Sequence, residues 1–174
     1  FSPIYPRQHD ACPNGAPQLK YWLMKSEPSV YGIDDLQRDK RTSWGGVRNY
    51  QVRNMFRDDF ARGDVAFFYH SSCAEPGIVG TMKILGKAYP DPGQFDPESE
   101  YFDPRSKRES PSWLAVDVRI QHRFRRPLPL DELRRHPELE AMLILRRGNR
   151  LSVTPVTGAE AQAILEMDVG APSG

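Results

Sequence analysis

The sequence predicts an α+β fold, a pseudobarrel of mostly antiparallel strands decorated by several short helices. Three observations carry this. Short apolar stretches with strand-like alternation crowd the middle of the chain, helical periodicity sits mainly on its flanks, and 174 residues with 39% hydrophobic content supply one core and ask for no second domain.

Residues 1–19 hold Pro3, Pro6, Pro13 and Pro17 with Asn14-Gly15, show no periodicity, and begin at Phe1. They are expected to be a disordered or appended lead-in, without the charged front and apolar middle of a signal peptide. Residues 20–25 read as a first strand, ended at Glu27-Pro28 because the residue before a proline is pushed out of helix. Residues 32–39 read as a short helix and residues 47–60 as a longer one. Arg62-Gly63-Asp64 then turns the chain into a strand over 65–71. That strand carries Val65, Phe67 and Tyr69 on one face and Ala66, Phe68 and His70 on the other, so it is predicted to be central. A strand over 78–88 follows, with Gly80 and Gly86 where the sheet bends or another backbone approaches. Residues 90–112 hold five prolines and the pair Tyr101-Phe102, a long loop of the kind kept for function or left disordered. Residues 113–124 alternate cleanly, with Leu114, Val116, Val118 and Ile120 facing inward. Short helices over 130–136 and 138–145, a strand over 151–153 and a closing helix over 157–167 complete the domain, and residues 168–174 form a tail. Thr157 and Glu160 have the spacing of a capping box at the start of that last helix.

Composition narrows the function. Lys+Arg 24 against Asp+Glu 23 leaves a net charge of +1, so any nucleic-acid contact must be local. Arginines do cluster, around Arg48, Arg53 and Arg57, around Arg105 and Arg108, over Arg119–Arg126, and at Arg146, Arg147 and Arg150. No apolar run is long enough to cross a membrane. Cys12 and Cys73 make no disulfide framework, the four histidines are scattered, and no spacing suggests a metal, so neither metal nor cofactor is expected.

The densest motif is Ser43-Trp44-Gly45-Gly46-Val47-Arg48-Asn49-Tyr50-Gln51-Val52-Arg53-Asn54. It places an aromatic ring, two glycines and a run of planar polar groups at the start of a helix, where backbone N–H groups are free to donate. At helical spacing Tyr50, Arg53, Asn54 and Arg57 fall on one side, and Val52, Met55, Phe56 and Phe60 on the other. Asparagine is a poor helix former, so two of them here suggest side chains with work to do.

This motif, preceded about twenty residues earlier by Tyr21-Trp22-Leu23-Met24-Lys25-Ser26-Glu27-Pro28, resembles the EVE domain of the PUA-like superfamily. Phe68-Tyr69-His70-Ser71, Gly77-Ile78-Val79-Gly80, Tyr101-Phe102-Asp103 and Trp113 add to the likeness, which covers roughly residues 20–167. One departure is Val52, where a small alanine is usual. The resemblance implies a PUA-like pseudobarrel and a pocket that accepts a modified base in DNA or RNA. It places Trp22, Lys25, Ser26, Trp44, Val47, Asn49, Tyr50, Tyr69, His70 and Ser71 near that pocket, with Arg48, Arg53 and Asn54 holding phosphates or buttressing it. Trp44 would stack on the base, Lys25 and Ser26 would bond polar edges or an anion, and the amides of Asn49 and Asn54 would pair with a base edge or brace a loop. The implied partner is a nucleic acid carrying a modified base, met in the cytoplasm of a bacterium or in a eukaryotic nucleus. The reading from another class is a hydrolase of modified nucleosides like some ASCH domains, which share the architecture, with Lys25 and Glu27 in catalytic roles. No nucleophile–base pair is otherwise visible, so a binding module is preferred over an enzyme.

Overall fold

The structure is a computed structural model, described here over residues 18–170. The expected lead-in through residue 17 and the tail beyond residue 170 lie outside the described residues, while residues 168–170, expected in that tail, belong to the last helix.

Seven strands and four α-helices occur in the order β1 (Tyr21–Ser26), α1 (Ile33–Asp39), β2 (Arg41–Trp44), α2 (Tyr50–Asp58), β3 (Val65–His70), β4 (Gly77–Ile84), β5 (Tyr89–Pro90), β6 (Leu114–Pro129), α3 (Leu130–Arg135), β7 (Val153–Val156) and α4 (Gly158–Gly170). The sheet order is β2-β6-β4-β3-β1-β7, with β5 pairing β6. All pairs are antiparallel except β1 with β3, which run parallel. The predicted α+β class with mostly antiparallel strands is what forms.

β3 is interior, as its two apolar faces require, and each face feeds its own core. Ala66 and Phe68 join Trp22, Met24, Leu36, Val52 and Phe56 under α1 and α2. Val65, Phe67 and Tyr69 join Leu23, Leu133, Met142 and Ile164 under α3, α4 and the 3-10 turns between β6 and β7. Burying each large side chain contributes about 1.5–3 kcal/mol, and doing so on both faces makes β3 the spine of the domain. At Gly80 the expected close approach is real: a Cβ there would stand 2.5 Å from the His122 carbonyl oxygen.

Several boundaries differ from the sequence expectation. Residues 47–49 are not helical: Asn49 is extended and acts as N-cap, its side chain accepting from the Val52 amide, so α2 begins at Tyr50. The helix expected over 138–145 splits into two 3-10 turns, Pro137–Leu139 and Leu143–Leu145, with Met142 extended between them. β4 stops at Ile84, β6 runs on to Pro129, and the last strand begins two residues later than expected, at Val153. β2 and β5 were not foreseen. β2 is four residues with only Trp44 buried, too short to show alternation. The capping box forms as expected, with Thr157 N–H donating to Glu160 and Glu160 N–H to the Thr157 hydroxyl.

Candidate functional site

β2 delivers Trp44 into the core, where it is 9% exposed and meets Phe68 edge-on at 5.4 Å. The chain then turns at Gly46, whose φ of +77° belongs to the left-handed region that glycine tolerates. Its amide donates to the Asp91 carboxylate at 2.8 Å, and a Cβ on Gly46 would come within 2.8 Å of the Tyr101 ring. Arg48 is held from three sides. Its Nη1 donates to Asp91 and to the Val47 carbonyl at 2.9 Å each, while Nε and Nη2 donate to the Tyr101 carbonyl at 3.1 and 2.8 Å. The guanidinium also lies over the rings of Tyr101 and Trp113. Asp91 accepts a further bond from the Gly93 amide. Burial by itself pushes the Asp91 carboxyl up, but the Gly46 amide, the Arg48 side chain and the Gly93 amide together hold it below the ordinary carboxylate value.

Beside this clamp, Trp113 donates from its indole to Asp103 at 2.8 Å, and that bond, with the Arg105 amide, keeps Asp103 ionised below its usual range. Tyr50 stacks on Trp113 with centroids 4.7 Å apart, and Arg53 lies over Tyr50 at 5.0 Å while bonding the Ser112 carbonyl and the Asn54 side chain. Tyr50, Tyr101 and Phe102 remain exposed at 55%, 39% and 39%. A fixed loop thus presents aromatic rings with guanidinium groups between them. Along the flank of α2, a hollow of about 460 Å³ is lined by Arg53, Arg57 and Lys87 over Phe56 and Phe60.

The parallel pairing of β1 and β3 brings their carboxyl ends together, Lys25 opposite Tyr69 and Ser26 opposite His70. Strand alternation sends Ser26 and His70 to the Trp44 face, and Lys25 and Tyr69 to the other. The Ser26 hydroxyl donates to the Tyr31 carbonyl at 2.6 Å. His70 Nε2 accepts from the Ile33 amide at 3.1 Å, capping α1, and its ring meets Phe68 edge-on, so Trp44, Phe68 and His70 form one row. Burial lowers the His70 pKa, consistent with that acceptor role. The Ser71 amide bonds the Ser26 carbonyl. Tyr69 is buried in the second core, and desolvation raises its phenol. Lys25 is partly buried, its ammonium makes no ion pair among the described residues, and desolvation lowers its pKa.

The structure therefore gathers Trp44, Val47, Arg48, Asn49, Tyr50, Arg53 and Asn54 around one loop, with Ser26, His70 and Ser71 at the adjoining strand ends. Lys25 and Tyr69, on the opposite face, and Trp22 stand apart from this group. The Trp22 indole donates to Asp64 at 3.0 Å and stacks against Phe60, at the opposite end of β1 from Ser26, where it ties strands together. Asn49 spends its amide oxygen as a cap, and Arg48 and Arg53 buttress the loop. Sequence reasoning gave no role to Asp91, Tyr101, Asp103 or Trp113. The last three stood among the matching motifs, but their pairing spans a long loop and leaves no periodic signal; Asp91, between two prolines, had none.

A family model described as EVE domain matches residues 20–167. Thymocyte nuclear protein 1 of Mus musculus is 42% identical over 180 residues, which cover 92% of this chain and 79% of that protein. Among solved structures, a Pseudomonas syringae protein is 48% identical with a TM-score of 0.82, covering 85% of this chain and 99% of that one. The human THYN1 protein in complex with 5-methylcytosine-containing DNA is 40% identical with a TM-score of 0.80, covering 86% of this chain and 97% of that one.

Proposed function

The chain belongs to the EVE domain family, and on that premise we propose that it binds nucleic acid and reads a modified base, with 5-methylcytosine in DNA the first to test. The observation that carries the reading is likeness over nearly the whole domain to a human protein solved with 5-methylcytosine-containing DNA. The geometry of the Trp44–Asn54 loop supports it. A base reader needs stacking rings and cations placed before the ligand arrives, and here the Asp91–Arg48 clamp holds the Gly46 turn, the Tyr101 backbone and the Arg48 guanidinium in place.

In this reading the base approaches the loop at Gly45–Val47 beside the strand ends at Ser26 and His70–Ser71, with the 9%-exposed edge of Trp44 behind it. Tyr50 and Tyr101 offer stacking to the flanking nucleotides, and Arg48 and Arg53 keep those rings in place. The protein acts as a binding module and turns nothing over. Its compartment is that of its nucleic acid, the nucleus in a eukaryote or the cytoplasm in a bacterium.

The test is a binding series of short single and double strands carrying cytosine, 5-methylcytosine or 5-hydroxymethylcytosine, against wild type, Trp44→Phe and Tyr50→Ala. The phenylalanine keeps an aromatic ring at this core position, and thermal unfolding of the variant separates lost packing from altered binding. Wild type is expected to prefer a modified base, Trp44→Phe to weaken that preference, and Tyr50→Ala to lower affinity by about 5- to 150-fold, the range of one base–aromatic stack. Equal binding of every strand, or release of base or ammonia abolished by Lys25→Ala, would overturn the reading.

A further inference from the structure

We propose that Lys25 and the loop carrying Arg146, Arg147 and Arg150 form a seat for the phosphate backbone of the bound strand, on the side of the sheet opposite Trp44. The inference rests on the nucleic-acid reading above and adds where the strand runs.

Nine of the seventeen arginines among the described residues have side-chain ion-pair or hydrogen-bond partners, while Arg62, Arg119, Arg125 and Arg135 stay unpaired at scattered positions. Arg38, Arg41, Arg48, Arg57, Arg105, Arg123, Arg126 and Arg134 form ion pairs, and Arg53 bonds the Ser112 carbonyl. Among the described residues, the side chains of Lys25, Arg146, Arg147 and Arg150 make neither an ion pair nor a hydrogen bond. They are also neighbours in the fold. The Lys25 amide donates to the Ser152 carbonyl at 2.8 Å, continuing the β1–β7 ladder one step beyond Met24 and Val153. Arg150 is two residues before Ser152. Lys25 shares its face with Leu23 and Tyr69, and Ile144 and Leu145 pack on that same cluster immediately before Arg146.

The loop is a built turn. Gly148 takes a φ of +80°, the Asn149 side chain donates to the Leu143 carbonyl at 2.7 Å, and its oxygen accepts from the Leu151 amide at 2.9 Å. Three exposed arginines are thereby carried on a fixed turn that leads into the strand paired with β1 at Lys25, whose own side chain is half withdrawn from water. Removing an ammonium from water without a counter-charge is unfavourable, and a row of phosphates supplies that charge with acceptor geometry suited to arginine.

The experiment measures affinity for methylated and unmethylated DNA of one sequence across a salt series. The variants are Arg146→Ala/Arg147→Ala/Arg150→Ala, which removes only exposed and unpaired groups, and Lys25→Gln. Each lost phosphate contact lowers the slope of log K against log salt by about 0.9 on duplex DNA. The triple variant is expected to lower it by about 2 to 3 and Lys25→Gln by about 1, with the methylated-to-unmethylated ratio unchanged in both. An unchanged slope in the triple variant overturns the phosphate seat, as does competition by polyglutamate as effective as that by DNA, which would assign the surface to an acidic peptide. A lowered slope in a protein without any methyl preference leaves the seat standing and removes the base reading instead.

Discussion

Asp91→Ala is expected to release the loop that presents the candidate site. The carboxylate side chain is 7% exposed and accepts from the Gly46 amide at 2.8 Å, Arg48 Nη1 at 2.9 Å and the Gly93 amide at 3.0 Å. Its removal deprives two backbone amides of their acceptor and leaves a guanidinium, 22% exposed, without its counter-charge. Breaking a buried pair by deleting one partner costs about 3–5 kcal/mol. Arg48 keeps its bonds to the Tyr101 carbonyl and some access to water, so the lower end applies, about 3 kcal/mol. For a domain of this size that is a fall in Tm of about 6–12 °C. Asp91→Asn, which retains one acceptor oxygen, is expected to lose less than half as much. Thermal unfolding followed by calorimetry measures both, and near-ultraviolet circular dichroism reports whether Tyr101 and Trp113 lose their fixed environment. A fall under about 2 °C in the alanine variant would show that the carboxylate does not hold the loop, and so would additivity of Asp91→Ala and Arg48→Ala within about 0.5 kcal/mol. The pH dependence has a definite sign. The folded pKa lies below 3.8, so the unfolded chain binds more protons there, and this part of the stability is present above 3.8 and lost as pH falls through the folded value.

Two further substitutions probe the same region. Gly46→Ala is expected to destabilise by at least about 1–2 kcal/mol from its left-handed backbone, with more from the Tyr101 ring 2.8 Å from the new methyl; Gly46→Ala combined with Tyr101→Ala should recover only the ring's share in thermal unfolding, and full recovery would dismiss the backbone argument. His70 has a folded pKa lowered by burial and uses Nε2 as an acceptor, so its contribution is complete above about 6.5 and declines as pH falls below that value. Denaturant titrations should show a stability loss on going from pH 7 to pH 5 that shrinks in His70→Ala, and identical slopes in the two proteins would refute the assignment.

The fold was legible where one residue pattern served one purpose. The doubly apolar run 65–70 could only be interior, the alternation over 114–120 could only be a half-buried strand, and Thr157 with Glu160 could only begin a helix. Legibility failed where long-range pairing decides the conformation. The segment Arg41–Trp44 is a strand because β6 offers it a partner, and Asn49 is extended because its side chain can accept from Val52. Within the site, the two faces of α2 were readable from spacing alone: Val52 and Phe56 are buried, while Tyr50 and Arg57 face solvent. The clamp was not, because Asp91 lies 45 residues from Gly46 and 43 from Arg48, and nothing local marks a carboxylate that will meet both.

The same polar density that suggests recognition in the sequence is consumed by construction in the structure, and this constrains how a base can be read. Arg48 spends donors on Asp91 and on two carbonyls, Arg53 on Ser112 and Asn54, and Asn49 its oxygen on Val52. A side chain whose donors are engaged can meet a ligand only by giving up a bond, which sets a net loss of about 0.5–1.5 kcal/mol against each such contact. What stays available at no such loss is the exposed backbone at Gly45 and the exposed parts of Tyr101 and Phe102, whereas Tyr50 already carries Trp113 and Arg53 on its ring. On the proposed reading, stacking and shape would supply the affinity at this loop, and discrimination between bases would fall to apolar fit rather than to new hydrogen bonds. A methyl group on a pyrimidine is the kind of difference that such a fit would detect, because it adds apolar surface without adding a donor or an acceptor.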